Sequence, residues 1–337
     1  MRNTVAAIAL SDAEIADFFP DHMWGELQQL LPSAQRLHTP IEEPSRWARF
    51  LRDTHPEVIV TCWQTPSFNS EVRAEDLNGL RYICHLAGTV RKLVPRELIH
   101  NGITVTNWGN VIGPTVAECT LMLILMALRR ASYWAIAMHR DQLWKNGSTV
   151  TQSLIGRRVG IHGFGGIAQA LVPMLRPFTN SISSYSPHVP DTLFRLHDVR
   201  RVESLEELFS NSDVVVELAA ATPQNRGLVT EKLLRSIPEG GVFVNVGRGS
   251  VVDEEALARV AGEGRLLVAL DVYDREPLPV DSPFRGMPNV TLLPHLGGPT
   301  RDRRRDSGAL ALRNLRAYLK GEPLEAVVTL DIYDRST

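Results

Sequence analysis

The sequence predicts an α/β protein of two doubly wound domains with parallel sheets. Three observations carry this expectation. The chain has 337 residues, too many for one small core and suited to two domains. Short apolar, β-branched runs alternate with amphipathic segments from end to end, as in parallel sheets joined by helices. A second series of six such runs places a glycine-rich turn directly after its first member, the arrangement of a doubly wound sheet.

In the first third, strands are expected at 4–10, 58–62, 81–86 and 103–107, with helical stretches such as 12–18 and 45–53 between them. A long helix is then predicted from near Thr115 to about Arg140. Thr115 would cap its first turn and Glu118, three residues on, would complete a capping box. Its apolar width suggests burial against a second subunit, so a homodimer is expected. The second strand series reads 158–162, 181–186, 214–219, 242–246, 266–271 and 290–294. These runs are short and largely apolar, as expected for strands covered on both faces. A helical tail at 302–320 should return to the first domain. The expected domains are therefore 1–115 plus 300–337, discontinuous, and 116–299.

Composition excludes several functions. Apolar residues make up 44% and charged residues 22%, ordinary for a soluble globular chain. A net charge of −2 offers no overall positive field, so neither nucleic acid nor an anionic membrane is an expected partner. The cluster Arg301, Arg303, Arg304 and Arg305 reads as a solvated helix start or a local anion contact. The three cysteines, Cys62, Cys84 and Cys119, stand far apart with no C-x-x-C and no zinc-type spacing. They read as buried small hydrophobes in a reducing cytoplasm, with no metal site. "MRNTVAAIAL" soon reaches Ser11, Asp12 and Glu14, so it reads as a first strand, not a signal peptide. The longest apolar run, 119–128, falls well short of the ~20 residues that span a bilayer.

The glycine-rich turn is "GIHGFGGIAQAL", residues 160–171, with the spacing G-x-G-x-x-A. It follows a strand and opens a helix, the setting in which such a turn cradles a dinucleotide pyrophosphate. Gly163 would permit the tight turn, Gly165 would let the phosphates approach the backbone, and Ala168 would still allow close helix packing. Backbone N–H groups of Phe164, Gly165, Gly166 and Ile167 would face the anion at the helix N-terminus. Pro173 lies within the predicted helix, where a proline favours a kink. The acid usual at the end of the second strand, which holds the adenine ribose 2′-hydroxyl, is missing. Ser186 stands there, with His188 nearby and no arginine directly after it. The cofactor is thus NAD or NADP, with the choice open.

Three later segments point to a reaction: "NVGRGSVVDEEAL" (245–257), "ALDVYDREPL" (269–278) and "LLPHLGG" (292–298). Each lies at the end of a predicted strand, where such sheets place their ligands. Reduction of a 2-oxo acid needs a cation for the carboxylate and carbonyl, and an acid for the nascent alkoxide. Arg248 supplies a planar fork suited to the first task. His295 is the side-chain type whose ordinary pKa suits the second. Glu276 would pair with His295 and orient its ring; Asp274 is the competing carboxylate. Each has a plainer alternative: a surface arginine in a turn, a structural histidine, a solvated carboxylate.

With the glycine turn, these segments closely resemble the D-isomer-specific 2-hydroxyacid dehydrogenase family, and "NWGNVIGPTVAE" (107–118) resembles that family's approach to its interdomain helix. The resemblance covers nearly the whole chain. It implies two Rossmann-like domains with an active-site cleft between them, and a hydride passing between nicotinamide and a small 2-hydroxy or 2-oxo acid. It implies Arg248, Glu276 and His295 as the catalytic set and Asp271 at the nicotinamide carboxamide. It further implies cofactor contacts from Thr115, Ala220, Val246 and Gly247. In "AGTVR" (87–91) the backbone of Gly88 and Thr89 would bind the substrate carboxylate beside Arg248 and His295. Arg91 departs from the family's usual Asp, and Leu218 and Ala220 depart from its common His and Pro. Trp63 and Trp108 are candidates for the pocket wall. The main rival reading is a nucleotide-sensing binding protein or co-regulator on the same scaffold, and a second is an oxidoreductase of another small acid such as formate or phosphite.

Overall fold

A computed structural model describes residues 4–41, 43–69, 72–147 and 149–335. The chain divides into two compact units, Met1–Ile112 with Pro299–Thr337, and Gly113–Gly298.

The first unit begins with β1 (Ala6–Ala9), all of it buried. Helix α1 (Asp12–Phe18) starts at once because Ser11 and Glu14 form a capping box: Glu14 N–H donates to the Ser11 hydroxyl at 3.2 Å, and Ser11 N–H donates to the Glu14 carboxylate at 2.9 Å. There follow α2 (His22–Leu30), β2 (Gln35–Leu37), α3 (Pro44–Thr54) and β3 (Val58–Thr61). The series continues with β4 (Tyr82–His85), α4 (Arg96–His100) and β5 (Thr104–Thr106). The five strands form one parallel sheet in the order β2-β1-β3-β4-β5. Helix α2 and strand β2 were not expected from the sequence.

The second unit opens with α5 (Gly113–Arg129) and α6 (Ala131–Arg140). The single helix expected from Thr115 to Arg140 is therefore two, bent by 62° at Arg130. Arg130 takes a left-handed conformation (φ 52°), and its guanidinium lies over the Tyr133 ring at 4.8 Å. The expected cap at Thr115 is also corrected. Helix α5 starts two residues earlier, with Pro114 in its first turn, where its missing N–H costs nothing. Among the described residues no single helix is long and apolar enough to cross a membrane.

Next come β6 (Val159–His162), α7 (Gly166–Leu175), β7 (Ile182–Tyr185), α8 (Asp191–Leu196) and β8 (Arg200–Arg201). Then follow α9 (Leu205–Ser210), β9 (Val214–Glu217), α10 (Glu231–Ser236), β10 (Val242–Asn245), α11 (Glu254–Gly262), β11 (Leu267–Leu270) and β12 (Val290–Leu292). They form a parallel sheet in the order β12-β11-β10-β9-β6-β7-β8, with seven strands where six were expected. The extra strand, β8, is a two-residue edge. The chain runs outward from β6 through β7 and β8, then returns to the other side of β6 as β9. The β6/β9 gap is thus the point where strand order reverses, the usual place for a ligand in such sheets.

After this unit the chain returns to the first as α12 (Arg304–Lys320), closed by a left-handed Gly321, and α13 (Leu330–Arg335). Helix α12 approaches α1 so closely that a Cβ at Gly308 would lie 1.7 Å from the Phe18 carbonyl oxygen. The Ser307 hydroxyl donates to the Leu86 carbonyl at 2.6 Å.

Candidate active site

The glycine turn has the shape its spacing implies. Gly163 adopts φ 88°, and a Cβ there would lie 2.9 Å from the backbone of Ala219, so neither the conformation nor the space admits a side chain. Gly165 caps α7 in an extended conformation, and its Cβ position is open, with nothing within 4 Å. Ala168 is fully buried, and Phe164 turns inward to stack on Phe194 at 4.7 Å. Gly166 and Ile167 form the first turn of α7, which passes close to the start of α5: a Cβ at Gly113 would lie 3.2 Å from the Gly166 carbonyl. Thr115 is in that first turn of α5. Open space over Gly165, beside the N-terminus of a ten-residue helix, fits a pyrophosphate. The residues present therefore suit a dinucleotide.

Ser186 directly follows β7, and its carbonyl accepts from Val189 N–H at 3.3 Å. Arg201 of β8 donates to the Val189 carbonyl at 3.4 Å and pairs with Asp191. Ala220 is exposed beyond β9, and its carbonyl accepts from Asn225. Val246 is buried after β10. Gly247 N–H donates to the Asn245 side chain at 3.0 Å and to the Glu217 carbonyl at 3.1 Å.

The structure brings Arg248, Glu276, His295 and Asp271 together at one edge of the second sheet. Arg248 follows β10; Asp271 and Glu276 follow β11; His295 follows β12. His295 Nδ1 donates to Glu276 Oε2 at 2.7 Å. Glu276 is fixed in turn by Tyr273 N–H, which donates to Oε1 at 3.0 Å. The competing Asp274 is engaged elsewhere, accepting from Arg226 at 2.9 and 3.0 Å.

His295 adopts a left-handed backbone (φ 55°), held because its N–H donates to the Asp271 carbonyl at 3.0 Å. The Asp271 carboxylate is buried and accepts from Leu296 N–H at 2.7 Å and Gly297 N–H at 2.8 Å. Asp271 thereby shapes the segment that presents His295. Its two backbone donors and the Arg226–Asp274 and Tyr273–Glu276 contacts had no signal in the sequence, because each depends on loop conformation.

Arg248 is half-buried, and its Nη1 donates to the Gly247 carbonyl at 2.7 Å. Burial holds its guanidinium below the ordinary arginine value, while the Glu276 charge acts in the opposite direction. It remains a cation at neutral pH. A Cβ at Gly249 would lie 1.9 Å from the Tyr273 carbonyl carbon, so the Arg248 loop lies directly on the segment carrying Glu276. A cavity of about 610 Å³ opens beside the His295–Glu276 pair, lined also by Tyr273, Leu278 and Leu293.

Gly88 and Thr89 lie in the first unit, beyond β4. The Trp108 indole packs on Gly88 so tightly that a Cβ there would come within 2.6 Å of the ring. The Gly88 carbonyl accepts from Asn107 at 2.6 Å, and the Thr89 hydroxyl accepts from Arg91 N–H at 3.4 Å. Arg91 stands over the Tyr333 ring at 5.8 Å, which gives it a place in the packing of this unit. Trp63 is half exposed and meets Trp108 edge to face at 6.1 Å. Cys62 and Cys84 are buried and Cys119 half-buried, all three as free thiols. Among the described residues no group of three or more His, Cys, Asp or Glu could hold a metal ion.

A glycine turn at the switch point of a parallel sheet, with an Arg and a Glu-paired His at the same sheet edge, defines a dinucleotide-dependent oxidoreductase of carboxylate-bearing substrates. The comparisons identify the family. The profile described as "D-isomer specific 2-hydroxyacid dehydrogenase, NAD binding domain" matches residues 121–297. The chain is 30% identical to glyoxylate/hydroxypyruvate reductase A of Arabidopsis thaliana over 307 residues, 88% of this chain and 96% of that protein. It is 36% identical to the hydroxyphenylpyruvate reductase of Plectranthus scutellarioides over 226 residues, 66% of this chain and 70% of that protein. A crystal structure of a glyoxylate reductase from Paecilomyes thermophila superposes with a TM-score of 0.79 at 26% identity, covering 97% of this chain and 99% of that one. The chain belongs to the D-isomer specific 2-hydroxyacid dehydrogenase family and is an NAD(P)-dependent oxidoreductase of 2-hydroxy and 2-oxo acids. The sensor reading finds no support among these relatives.

Proposed function

We propose that this enzyme reduces small 2-oxo acids to D-2-hydroxy acids, with Arg248, His295 and Glu276 as its catalytic set. The observation that carries the proposal is the 2.7 Å His295–Glu276 hydrogen bond at the sheet edge that also presents Arg248. A bound nicotinamide would exchange the hydride with the substrate's 2-carbon. Arg248 binds the substrate carboxylate and polarises the 2-oxo group, using a fork whose charge persists despite burial. With Nδ1 committed to Glu276, the His295 ring turns Nε2 outward as the group that delivers the proton to the nascent alkoxide. Glu276 keeps that tautomer and fixes the orientation of the ring. The backbone of Gly88 and Thr89 supplies carboxylate donors, and Asp271 orients the nicotinamide carboxamide.

The turn 163–167 would hold the pyrophosphate, with Thr115, Ala220, Val246 and Gly247 as further cofactor contacts. Ser186 at the ribose position tolerates either NADH or NADPH, since it neither repels a 2′-phosphate nor offers the carboxylate that selects a 2′-hydroxyl. A cytoplasmic homodimer fits the free thiols and the exposed apolar side chains Ile136, Met138, Leu143 and Trp144 on and after α6.

The test is loss of nicotinamide absorbance with NADH and NADPH, each offered glyoxylate, hydroxypyruvate, pyruvate and phenylpyruvate. Turnover is expected with at least one pair and should fall at least about 100-fold in His295→Ala. Turnover that survives His295→Ala overturns the assignment of the proton donor.

A further inference from the structure

The two strands that flank the reversal of strand order end in ionisable residues: His162 closes β6 and Glu217 closes β9. The parallel register sets them directly opposite one another. His162 Nδ1 donates to Glu217 Oε2 at 2.5 Å, with the histidine side chain 6% exposed and the glutamate 0%. Core strand ends of this kind are ordinarily apolar, and burying an ionised pair is costly unless its remaining atoms are satisfied. Here they are used. Glu217 Oε1 accepts from Ala219 N–H at 2.8 Å, and the Glu217 carbonyl accepts from Gly247 N–H at 3.1 Å. Ala219 is the residue whose backbone Gly163 packs against, and Gly247 directly precedes Arg248. The side-chain pair therefore holds Ala219, against which the glycine turn packs, while the backbone of Glu217 holds the residue before Arg248.

We propose that His162 and Glu217 form a positioning pair for the dinucleotide, in which the proton shared between them decides how much negative charge lies under the diphosphate. The inference rests on the dinucleotide reading of this crevice. With His162 protonated the pair is neutral overall. Once that proton leaves, Glu217 keeps its charge without a counter-charge, beneath a ligand that is itself an anion. Binding should therefore weaken as pH rises, and by linkage a bound diphosphate should draw a proton onto the pair.

Among the described residues, the ionisable side chains facing His162 are Glu217 from β9 and Tyr185 from β7, whose ring centroid is 6.0 Å away. Burial lowers the His162 pKa, but the charge and hydrogen bond of Glu217 outweigh this and hold it above the ordinary histidine value. The loss of affinity accordingly falls at a pH above the ordinary histidine value. A buried unit charge near a diphosphate changes its affinity by about tenfold or more.

The experiment measures the Kd of NADH and of NADPH by fluorescence from about pH 6 to about pH 9.5, across the ordinary histidine value and the range above it. The wild-type protein is compared with His162→Ile/Glu217→Leu, which replaces the pair with apolar side chains. The wild-type Kd is expected to rise about tenfold across this range and that of the variant to stay flat. Equal slopes in the two proteins, or a flat wild-type profile, overturn the proposal. Should the variant not fold, calorimetry of the wild type across the same pH range, in two buffers of different ionisation enthalpy, reads the same linkage. Net proton uptake on binding is expected, and zero uptake overturns the proposal. Binding without pH dependence removes this inference alone, whereas no binding of either nucleotide at any pH removes the dinucleotide reading as well.

Discussion

Gly249→Ala tests whether the close approach of two loops sets the catalytic geometry. A Cβ at this position would lie 1.9 Å from the Tyr273 carbonyl carbon and 2.2 Å from the Asp274 nitrogen. Both are main-chain atoms, so no side chain can rotate away. Restoring an ordinary contact of 3.4 Å requires the loops to separate by about 1.5 Å. Arg248 is joined covalently to one side of the contact, while Glu276, three residues from Tyr273, holds His295 on the other. If the separation is shared along the loops, Arg248 shifts by roughly 1 Å relative to His295, and a misplacement of that size costs about 100-fold in rate. Overpacking should also destabilise the fold by about 1–3 kcal/mol. The assay is kcat/KM for the best 2-oxo acid, with nucleotide Kd and thermal unfolding measured on the same preparation. A folded Gly249→Ala enzyme with kcat/KM within about threefold of wild type would refute the reasoning, since it would show that the Arg248–His295 geometry tolerates the displacement.

Two further outcomes follow from single side chains. Ser186→Asp places a carboxylate at the end of β7, which repels a 2′-phosphate and accepts from a 2′-hydroxyl. The ratio of kcat/KM for NADH over NADPH should rise at least about tenfold, and an unchanged ratio would remove Ser186 from the ribose site. His85, buried in the first unit and hydrogen-bonded to the Thr61 hydroxyl at 3.0 Å, has its pKa pushed down by burial to about 4 from the ordinary 6.5. Between those values the unfolded chain binds a proton that the folded chain excludes, so stability falls as pH drops through the window, by about 3 kcal/mol at its lower end. Urea unfolding followed by tryptophan fluorescence should show this loss in the wild type and a flatter profile in His85→Gln.

Much of the fold was readable because fully buried parallel strands are written as unbroken apolar runs. Strands β1, β3, β9 and β10 are buried at every residue; β1 is such a run throughout, and the other three are one up to their last residue, Thr61, Glu217 and Asn245. The elements that escaped carry no such signature. Strand β8 is two arginines and β2 is Gln-Arg-Leu, both at sheet edges, where position comes from the neighbouring strand rather than from burial. The break between α5 and α6 was invisible for a related reason. Arg130 takes a left-handed conformation with no glycine or proline to announce it, in a segment whose hydrophobic pattern continues on both sides.

The site divides along the same line. Arg248, Glu276 and His295 were named from three segments in strand-end settings, but the choice of Glu276 over Asp274 leaned on family resemblance. The physical reason lies in the fold: Arg226, 48 residues away in sequence, holds Asp274, and Tyr273 N–H turns Glu276 toward His295. The His162–Glu217 pair left a trace that sequence reasoning could have used. A glutamate ending the run "VVVE" at the centre of a parallel sheet must either reach solvent or find a donor. In a doubly wound order the strand beside β9 is β6, and the residue at the matching register is a histidine. Two residues 55 apart thus become partners through topology alone. An ionisable residue at the buried end of a central strand should therefore be tested first against the equivalent position of the strand across the switch point, before it is read as a surface charge.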